Sequence, residues 1–357
     1  MPPSRSLTSV DSDSCKQLLK NLPGHPLLIA RVRHAEIITF EKYLRPLEGK
    51  QRCFPSILMT QASGRWSFKD PPLNNLAKDE VAIKRGLPKL RSIIWPDLGT
   101  WWLCWDLDAV EAKFAAAYSG DLDDLEAFNN NWDIHVLTTC DAYRHPRPPN
   151  PTKKWIASDD AQEWRNSWNP PFLPVDDLRR SALKTARYAC TYAPVEKGEY
   201  AILEAPGLDD IGLSRQQAVE AARMFLASKP KLMAWKRVVS AECIRTKESR
   251  TFLGRRRKLF GSRDDMAKQG LNHKIQGAVS QVMDLTIKGV LGALDQARLI
   301  VQAHDGAKVQ LPISVSPRAA YDTVRPIVEK TWDVEGTPVT FTASWEMVDD
   351  KGDKGKI

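Results

Sequence analysis

The chain contains 357 residues, of which 42% are hydrophobic, and it carries a formal charge of +8 with an isoelectric point near 9.1. This length suits two or three structural units around a large core, and the positive charge favours a polyanionic partner. No stretch reaches the roughly 18 apolar residues of a membrane span, and the opening MPPSRSLTSV lacks the apolar segment of a signal peptide.

Helical spacing is predicted within residues 11–50, where CKQLLKNL and HPLLIARVRHAEIITFEKYL favour a pair of helices. A polar stretch, SGRWSFKDPPLNNLAK at residues 63–78, follows and is typical of a solvated loop. Farther along, the apolar run from Thr100 to Trp105 predicts a buried strand, and the chain is expected to turn helical after Asp106.

From residue 144 onward, the sequence pattern changes from one segment to the next. Residues 144–176 contain prolines and tryptophans without a period, which predicts a long irregular insertion. Helical patterning returns at residues 177–193 and again from Ser214, where Gln217 completes a capping box. A further helix is expected over residues 272–291, RLIVQAHDGAKVQLPI predicts two strands around a tight turn, and PVTFTASWEM alternates as another strand. Because strands and helices segregate, the fold class is predicted to be α+β.

Two aspartates that are far apart in the sequence are placed at predicted strand ends. Asp106 follows the apolar run, and Asp305 lies at the tip of the predicted hairpin. Carboxylates held on rigid strands suit hard divalent ions such as Mg²⁺, and two-metal phosphoryl transfer needs such a pair. Two other interpretations stay open here, with Asp106 as a helix N-cap and Asp305–Gly306 as an Asp-Gly hairpin turn.

The predicted helix LRRSALKTARYACTYA carries a polar stripe. Arg180, Lys184, Tyr188 and Tyr192 recur every four residues and therefore share one face. Small residues occupy the opposite face at Ala182, Ala186, Ala189 and Ala193. Two cations followed by two rings suit a triphosphate and then a base, although a solvated basic face fits the same pattern.

Five motifs occur in an order typical of one enzyme family: GRWSFKDPPLNN, DLDAVEAKFAAAYSGD with DIH downstream, RRSALKTARYACTYA, NHKIQG and VQAHDG. Over residues 15–348 the chain thereby resembles family A DNA polymerases, the class of bacterial DNA polymerase I and related phage replicative enzymes. The resemblance implies a right-hand fold with an antiparallel palm sheet, helical fingers and a reduced helical thumb. It implies a thumb remnant at residues 1–55, a palm at 56–114 and 266–357, and fingers at 115–265.

The resemblance implies nucleotidyl transfer with two metal ions at the strand ends. Asp106 and Asp305 would hold two Mg²⁺ ions, for which Mn²⁺ can substitute, and the backbone carbonyl of Leu107 would be a further ligand. Arg180 and Lys184 would grip the incoming triphosphate, and Lys184 would also protonate the pyrophosphate.

Four more residues match nucleotide contacts of the family. His135 resembles a histidine that contacts the same phosphates. Tyr188 lies where the family carries Phe or Tyr beside the nucleotide sugar, and the tyrosine implies ready acceptance of dideoxynucleotides. Tyr192 matches a tyrosine that stacks at the template position, and Glu111 matches the steric gate that excludes a ribose 2′-hydroxyl.

Primer-template DNA is the implied macromolecular partner. Arg65 resembles an arginine that reaches the minor groove at the primer terminus, and Asn75 resembles a residue that contacts the duplex. Three further positions match residues with minor-groove roles: Asn272, Gln276 and His304. Minor-groove acceptors are common to all base pairs, so such contacts check pair geometry without reading sequence.

The sequence departs from the family pattern at several points. Gly306 replaces the acidic residue that usually follows the aspartate, and Ala193 stands where glycine is usual. The segment before GRW has room for the base of a thumb and not for a 3′–5′ exonuclease domain. The sequence therefore predicts no proofreading, and it predicts weak grip on duplex DNA unless a partner subunit or domain replaces the missing thumb and exonuclease.

The sequence thus favours a template-directed DNA polymerase core that uses deoxynucleoside triphosphates and Mg²⁺. The alternatives are a catalytically weak or inactive polymerase-like DNA-binding accessory protein and a related RNA polymerase or primase-like enzyme, against which Glu111 counts. Six cysteines without a C-x-x-C pair favour a reducing compartment. The expected location is the cytoplasm of a bacterial or phage-infected cell, with an organelle or a nucleus as alternatives.

Overall fold

A computed structural model of the chain describes most residues from the first helix to the last strand. The described residues are 15, 18–19, 22, 24–50, 52–59, 61, 64–73, 83, 89, 93–174, 177–205, 208 and 212–355. Within this described part, no helix is both long enough and apolar enough to cross a membrane.

The chain forms two compact units, of which the first comprises residues 1–59 and 66–94. Its described elements are α1 (Pro26–Leu44), β1 (Ser56–Leu58) and β2 (Ser67–Lys69). Helix α1 begins at a proline, whose missing N–H costs nothing in the first turn. The two strands pair antiparallel, with Ile57 opposite the buried Phe68. The second of the two predicted helices is confirmed, whereas most of the first lies outside the described residues.

The second unit comprises residues 60–65 and 95–357 and is built around one antiparallel sheet. Its strands are β3 (Thr100–Leu107), β6 (Arg298–Ala303), β7 (Gly306–Pro312), β10 (Ala343–Val348) and β11 (Lys354–Gly355). The strand order is β11-β10-β3-β7-β6, so β3 is the central strand. Two hairpins lie outside this sheet, namely β4 (Glu248–Arg250) with β5 (Arg256–Lys258) and β8 (Thr331–Val334) with β9 (Thr337–Thr340).

The helices of the second unit pack on the sheet and on one another. They are α2 (Val110–Ser119), α3 (Leu122–Asn129), α4 (Ile134–Tyr143), α5 (Lys153–Ala157), α6 (Gln162–Asn166), α7 (Leu178–Tyr192), α8 (Arg215–Ser228), α9 (Pro230–Thr246), α10 (Arg263–Asn272), α11 (Ala278–Ala293) and α12 (Pro317–Val328). The main core joins the apolar face of β3 to α2, α7 and α11, and Phe114 of α2 is fully buried in it. Its ring contacts those of Phe341 and Phe252, with centroids 5.2 and 5.5 Å away.

Most predicted elements are confirmed with small shifts of their ends. The strand predicted from Thr100 continues to Leu107, and the capping box of Ser214 and Gln217 is formed in both directions. A single-turn π-helix at His273–Gly277 precedes α11, so the predicted helix over residues 272–291 contains a widened turn. The predicted α+β class is confirmed.

Two predictions about local structure are wrong. Residues 144–176 contain α5 and α6, and they pack around a small apolar cluster formed by Val136, Cys140, Ile156, Trp168 and Phe172. PVTFTASWEM is not one strand, because β9 pairs with β8 whereas β10 pairs with β3. The chain changes sheets at Phe341, which is buried in the main core.

Candidate functional site

Strand register brings the two predicted aspartates together at one end of the sheet. Asp106 pairs with Gly306 across β3 and β7, and Asp305 immediately precedes Gly306. The backbone N–H of Leu107 donates to the carbonyl oxygen of Asp305 at 3.0 Å. Asp106 is exposed and Asp305 is partly exposed, so both side chains lie at a surface.

The structure excludes the first alternative interpretation of these aspartates and shifts the second by one residue. Helix α2 begins at Val110, and its N-cap is Ala109, so Asp106 does not cap it. The hairpin pairs Ala303 with Gly306, which leaves His304 and Asp305 as the two turn residues. The residue with positive φ is His304, at 57°, and the glycine already belongs to β7.

The glycine after Asp305 has a steric role. A Cβ atom at Gly306 would lie 2.6 Å from the carbonyl oxygen of Trp105 and 2.8 Å from Oδ1 of Asp106. Both distances are shorter than those that real Cβ atoms tolerate, and the first involves backbone. An acidic residue at this position would therefore require β3 and β7 to move apart locally.

A carboxylate in the first turn of α2 is held from two directions. Glu111 accepts a hydrogen bond from the guanidinium of Arg65 and another from the phenol of Tyr192. The Glu111 side chain retains 25% exposure, and that of Arg65 retains 19%. Burial raises the pKa of Tyr192 well above its usual value, and the adjacent Glu111 carboxylate raises it further. The phenol is therefore a hydrogen-bond donor at neutral pH.

The cationic end of the predicted stripe is oriented by an acidic residue that the motif analysis did not assign. Asp133 accepts from Nε and Nη2 of Arg180 at 3.1 and 2.6 Å. The same carboxylate caps α4 by accepting from the N–H groups of His135 and Val136. Burial raises the pKa of Asp133, but the hydrogen bond and charge of Arg180 outweigh burial, so the pKa lies below its usual value.

The middle of the stripe carries a half-exposed tyrosine, Tyr188. Tyr188 is 50% exposed, and its ring lies 6.2 Å from that of His135 between centroids. Burial raises the pKa of Tyr188. The charge of Arg187 lowers this pKa, and the charges of Glu111 and Asp305 raise it. Helix α7 therefore presents Tyr188 within electrostatic reach of both the sheet end and α2.

His135 is held in its neutral form. Burial, the charge of Arg187 and smaller contributions from Arg180 and Lys184 together lower the pKa of His135 to about 3. Its Nδ1 atom is buried and has no hydrogen-bond partner among the described residues. Asp133 opposes the lowering of the pKa without reversing it.

Lys184 and Tyr188 also line an open cavity of about 510 Å³ beside α7. Ala189 of α7 and the C-cap residue Ala193 also line it, together with Glu204 and Lys268 from neighbouring segments. The alternative of a merely solvated face is wrong at two positions of the stripe, because Arg180 pairs with Asp133 and Tyr192 donates to Glu111. It still describes Lys184, which is exposed.

A buried ion network behind the stripe was missed in the sequence. Arg187, 6% exposed, donates to Asp124 at 2.8 Å and to Thr138 at 2.6 Å. Lys229 pairs with the same Asp124 from the start of α9. An arginine at helical spacing from Leu183 and Cys190 was the available signal, because a charge beside apolar residues on a buried face requires a buried partner. For Asp133, the available signal was its position in DIH, directly before a helix, where an aspartate is a preferred N-cap.

The predicted DNA-contacting residues are spread over several elements. Asn272 ends α10 and Gln276 lies in the π-turn, both partly buried, and Oδ1 of Asn272 has no hydrogen-bond partner among the described residues. His304 is exposed in the β6–β7 turn, and Arg65 contacts Glu111 as described. Asn75 lies outside the described residues.

The strand-end donor set fits a hard divalent ion. Asp106 and Asp305 offer carboxylate oxygens, and Leu107 offers a carbonyl oxygen beside them. Mg²⁺ prefers oxygen ligands and is typically bound by one or two carboxylates together with waters and substrate phosphates. Within the described residues, no group of three or more His, Cys, Asp or Glu side chains forms a dedicated metal cage.

Sequence comparison finds several curated relatives. DNA polymerase I from Thermus thermophilus is 23% identical over 329 residues, which cover 87% of this chain and 35% of that protein. DNA polymerase I from Bacillus caldotenax is 22% identical over 308 residues, covering 83% of this chain and 31% of that protein. The chain is a distant homologue of bacterial DNA polymerase I. It spans about a third of the length of these DNA polymerase I relatives.

Structural comparison supports the same relationship at the level of fold. The polymerase domain of Pol1 from M. smegmatis, solved in complex with DNA primer-template and dNTP, superposes with a TM-score of 0.71 at 19% identity. The match covers 97% of this chain and 57% of that one. The polymerase fold expected from the DNA polymerase I resemblance is thereby confirmed. No protein-family model matches the sequence.

Proposed function

We propose that the chain is a template-directed DNA polymerase core that adds deoxynucleotides to a primer 3′-hydroxyl. The observation that carries the proposal is the register of β3 and β7, which sets Asp106 beside Asp305 at one sheet end. The charge of Asp305 contributes to the raised pKa of Tyr188, so α7 lies within electrostatic reach of the same sheet end. A basic helix near paired carboxylates suits a metal-bound polyphosphate.

The carboxylates of Asp106 and Asp305, with the carbonyl of Leu107, would hold divalent metal. Two Mg²⁺ ions, when bound, supply activation of the primer hydroxyl and neutralisation of charge on the leaving pyrophosphate. The chain itself holds the backbone beside the two carboxylates through the hydrogen bond from the N–H of Leu107 to the carbonyl oxygen of Asp305. Because both aspartates project from sheet ends, little reorganisation of the backbone accompanies the chemistry.

The triphosphate would lie along the first half of α7. Arg180 presents a guanidinium for phosphate oxygens, and Lys184 presents an exposed ammonium one turn later. Burial lowers the pKa of Lys184, and so do the charges of Arg180 and Lys153, which makes its ammonium a better acid for protonating pyrophosphate. Neutral His135 would donate a hydrogen bond to the same phosphates and add no charge.

The sugar and the template base would lie beyond the phosphates. Tyr188 would contact the sugar, Glu111 would exclude a 2′-hydroxyl, and Tyr192 would stack at the template position. Minor-groove contacts are assigned to Arg65, Asn75, Asn272, Gln276 and His304. We assign the palm to residues 56–114 and 266–357, the fingers to 115–265 and a thumb remnant to 1–55.

A second candidate is a polymerase-like DNA-binding accessory protein with weak or absent turnover. Gly306 favours it, because the chain lacks a further carboxylate beside Asp305 and has no space for one without movement of β3. The basic composition and the duplex-facing residues would be retained in such a protein.

Primer extension on a recessed duplex tests the proposal. The polymerase hypothesis predicts template-directed addition of deoxynucleotides with Mg²⁺ and with Mn²⁺. Duplex binding without incorporation under either ion would favour the accessory protein. A mismatched primer in the same assay tests the expected lack of 3′–5′ proofreading by this chain, because shortening of the primer would contradict it.

A further inference from the structure

We propose that Lys153, in the insertion between α4 and α7, is a third cationic contact for the polyphosphate of the incoming nucleotide, beside Arg180 and Lys184. The inference rests on the proposed function, since it adds a residue to that site. It is drawn from the placement of the insertion, whose residues are not among the motifs that carry the family resemblance.

One backbone hydrogen bond ties the insertion to the phosphate-binding end of α7. The N–H of Asp133 donates to the carbonyl oxygen of Pro151 at 2.7 Å. The carboxylate of the same Asp133 accepts from Nη2 of Arg180 at 2.6 Å. Pro151 and Arg180 are therefore joined through one residue, and Lys153 follows Pro151 by two positions.

The packing of the insertion fixes Lys153 in this place. Ile156, three residues farther along α5, is 1% exposed and packs in the small apolar cluster with Val136 of α4. At the other end of the insertion, the guanidinium of Arg179 stacks on Trp168 at 4.6 Å and on Phe172 at 5.4 Å. The insertion is thus held by α4 on one side and by the first turn of α7 on the other.

The charges around Lys153 favour an anion. Lys153 and Lys184 are both exposed, and neither forms an ion pair within the described part of the chain. The two ammonium groups are close enough that Lys153 contributes to the lowered pKa of Lys184, after burial and the charge of Arg180. Asp133 faces this group but is already engaged by Arg180. A bound triphosphate would relieve the repulsion among the three cations.

Steady-state kinetics of Lys153→Ala test the inference, with Lys154→Ala as the matched control. Both lysines are exposed on α5, so neither substitution removes a packing contact. We expect Lys153→Ala to raise the KM for the nucleotide about three- to fivefold, as for one exposed charge pair, with kcat changed less than about twofold. Lys154→Ala should leave the KM unchanged, and Lys153→Arg should restore it.

A binding measurement separates this inference from the proposed function. Inorganic tripolyphosphate is titrated calorimetrically into the wild-type chain and both variants at low and moderate salt. A Kd raised about three- to fivefold in Lys153→Ala alone, with the difference shrinking at higher salt, supports the contact even if the wild-type chain extends no primer. Equal tripolyphosphate affinity in the two alanine variants overturns the inference, even if primer extension is robust.

Discussion

Tyr192 donates a hydrogen bond from its phenol to the carboxylate of Glu111, a residue 81 positions earlier in the chain. The bond joins the last turn of α7 to the first turn of α2, and Arg65 donates to the same carboxylate. Glu111 is therefore fixed in position before any nucleotide binds. A side chain that excludes one hydroxyl group must be fixed in this way, because a mobile carboxylate could move aside for a ribose.

Glu111→Ala is predicted to admit ribonucleotides. The ratio of kcat/KM for a deoxynucleotide to that for the matching ribonucleotide should fall at least about tenfold, which corresponds to about 1.4 kcal/mol of lost discrimination. Tyr192→Phe should lower the ratio less, since Arg65 still holds the carboxylate. The exposed Glu126 on α3 provides a control, and Glu126→Ala should leave the ratio unchanged. An unaltered ratio in Glu111→Ala would refute the gate.

Asp305→Asn is predicted to abolish incorporation while leaving duplex binding largely intact. The substitution removes one of two strand-end carboxylates, and the loss of several kcal/mol of metal-dependent stabilisation corresponds to roughly a thousandfold or more in rate. The fold should persist, because the turn is held through the backbone carbonyl of Asp305. Single-turnover extension and duplex binding by anisotropy measure the two properties. Asp322→Asn, at an exposed ion pair of α12, is the control, and retained activity in Asp305→Asn would contradict its role.

Tyr188→Phe is predicted to increase discrimination against dideoxynucleotides. The wild-type chain should accept them nearly as well as deoxynucleotides, because its phenol stands at the sugar position. The substitution removes the hydroxyl and keeps the ring, which is half exposed and next to His135. Competition between the two nucleotide types on one template gives the ratio directly. Strong discrimination by the wild-type chain would argue against this position for Tyr188.

His135→Gln is predicted to flatten the acid side of the stability profile. The pKa of His135 is lowered to about 3, whereas a histidine in the unfolded chain has a pKa of about 6.5. Between these values the unfolded chain binds a proton that the folded chain does not, so stability falls as the pH drops below about 6.5. At pH 5 this linkage costs the wild type about 1–2 kcal/mol.

Urea unfolding from pH 8 to pH 5 measures this effect. The free energy of unfolding of His135→Gln should depend less on pH than that of the wild type. His25→Gln, at an exposed position before α1, should preserve the wild-type slope. Parallel profiles for the wild type and His135→Gln would show that His135 takes up a proton in the folded state.

Periodicity predicted the parts of the site that lie within one element. The four-residue repeat from Arg180 to Tyr192 predicted the face of α7 to which we assign nucleotide binding, and the apolar run before Asp106 predicted the central strand. Partners that come from other elements left no such pattern. The pairing of Asp133 with Arg180 spans 47 positions, and that of Asp124 with Arg187 spans 63, so both depend on the packing of helices.

Sequence rules based on neighbouring residues gave wrong predictions where contacts between distant segments decide the structure. The Asp-Gly preference predicted a turn at Asp305–Gly306, but pairing with β3 requires Gly306 in the sheet and moves the turn back by one residue. The insertion lacks a period because its core is a cluster of aromatic rings from short segments. Packing of Trp168 and Phe172 against Arg179 is not visible as a repeat in the sequence.

The ion pair between Asp133 and Arg180 has a thermodynamic consequence for any ligand that reaches this guanidinium. A phosphate that binds Arg180 competes with this carboxylate for Nε and Nη2 of the guanidinium, so its gain in free energy is smaller than at an unpaired arginine. The guanidinium has a counterion even when no ligand is bound. Modest affinity and easy release of the bound anion are the expected result.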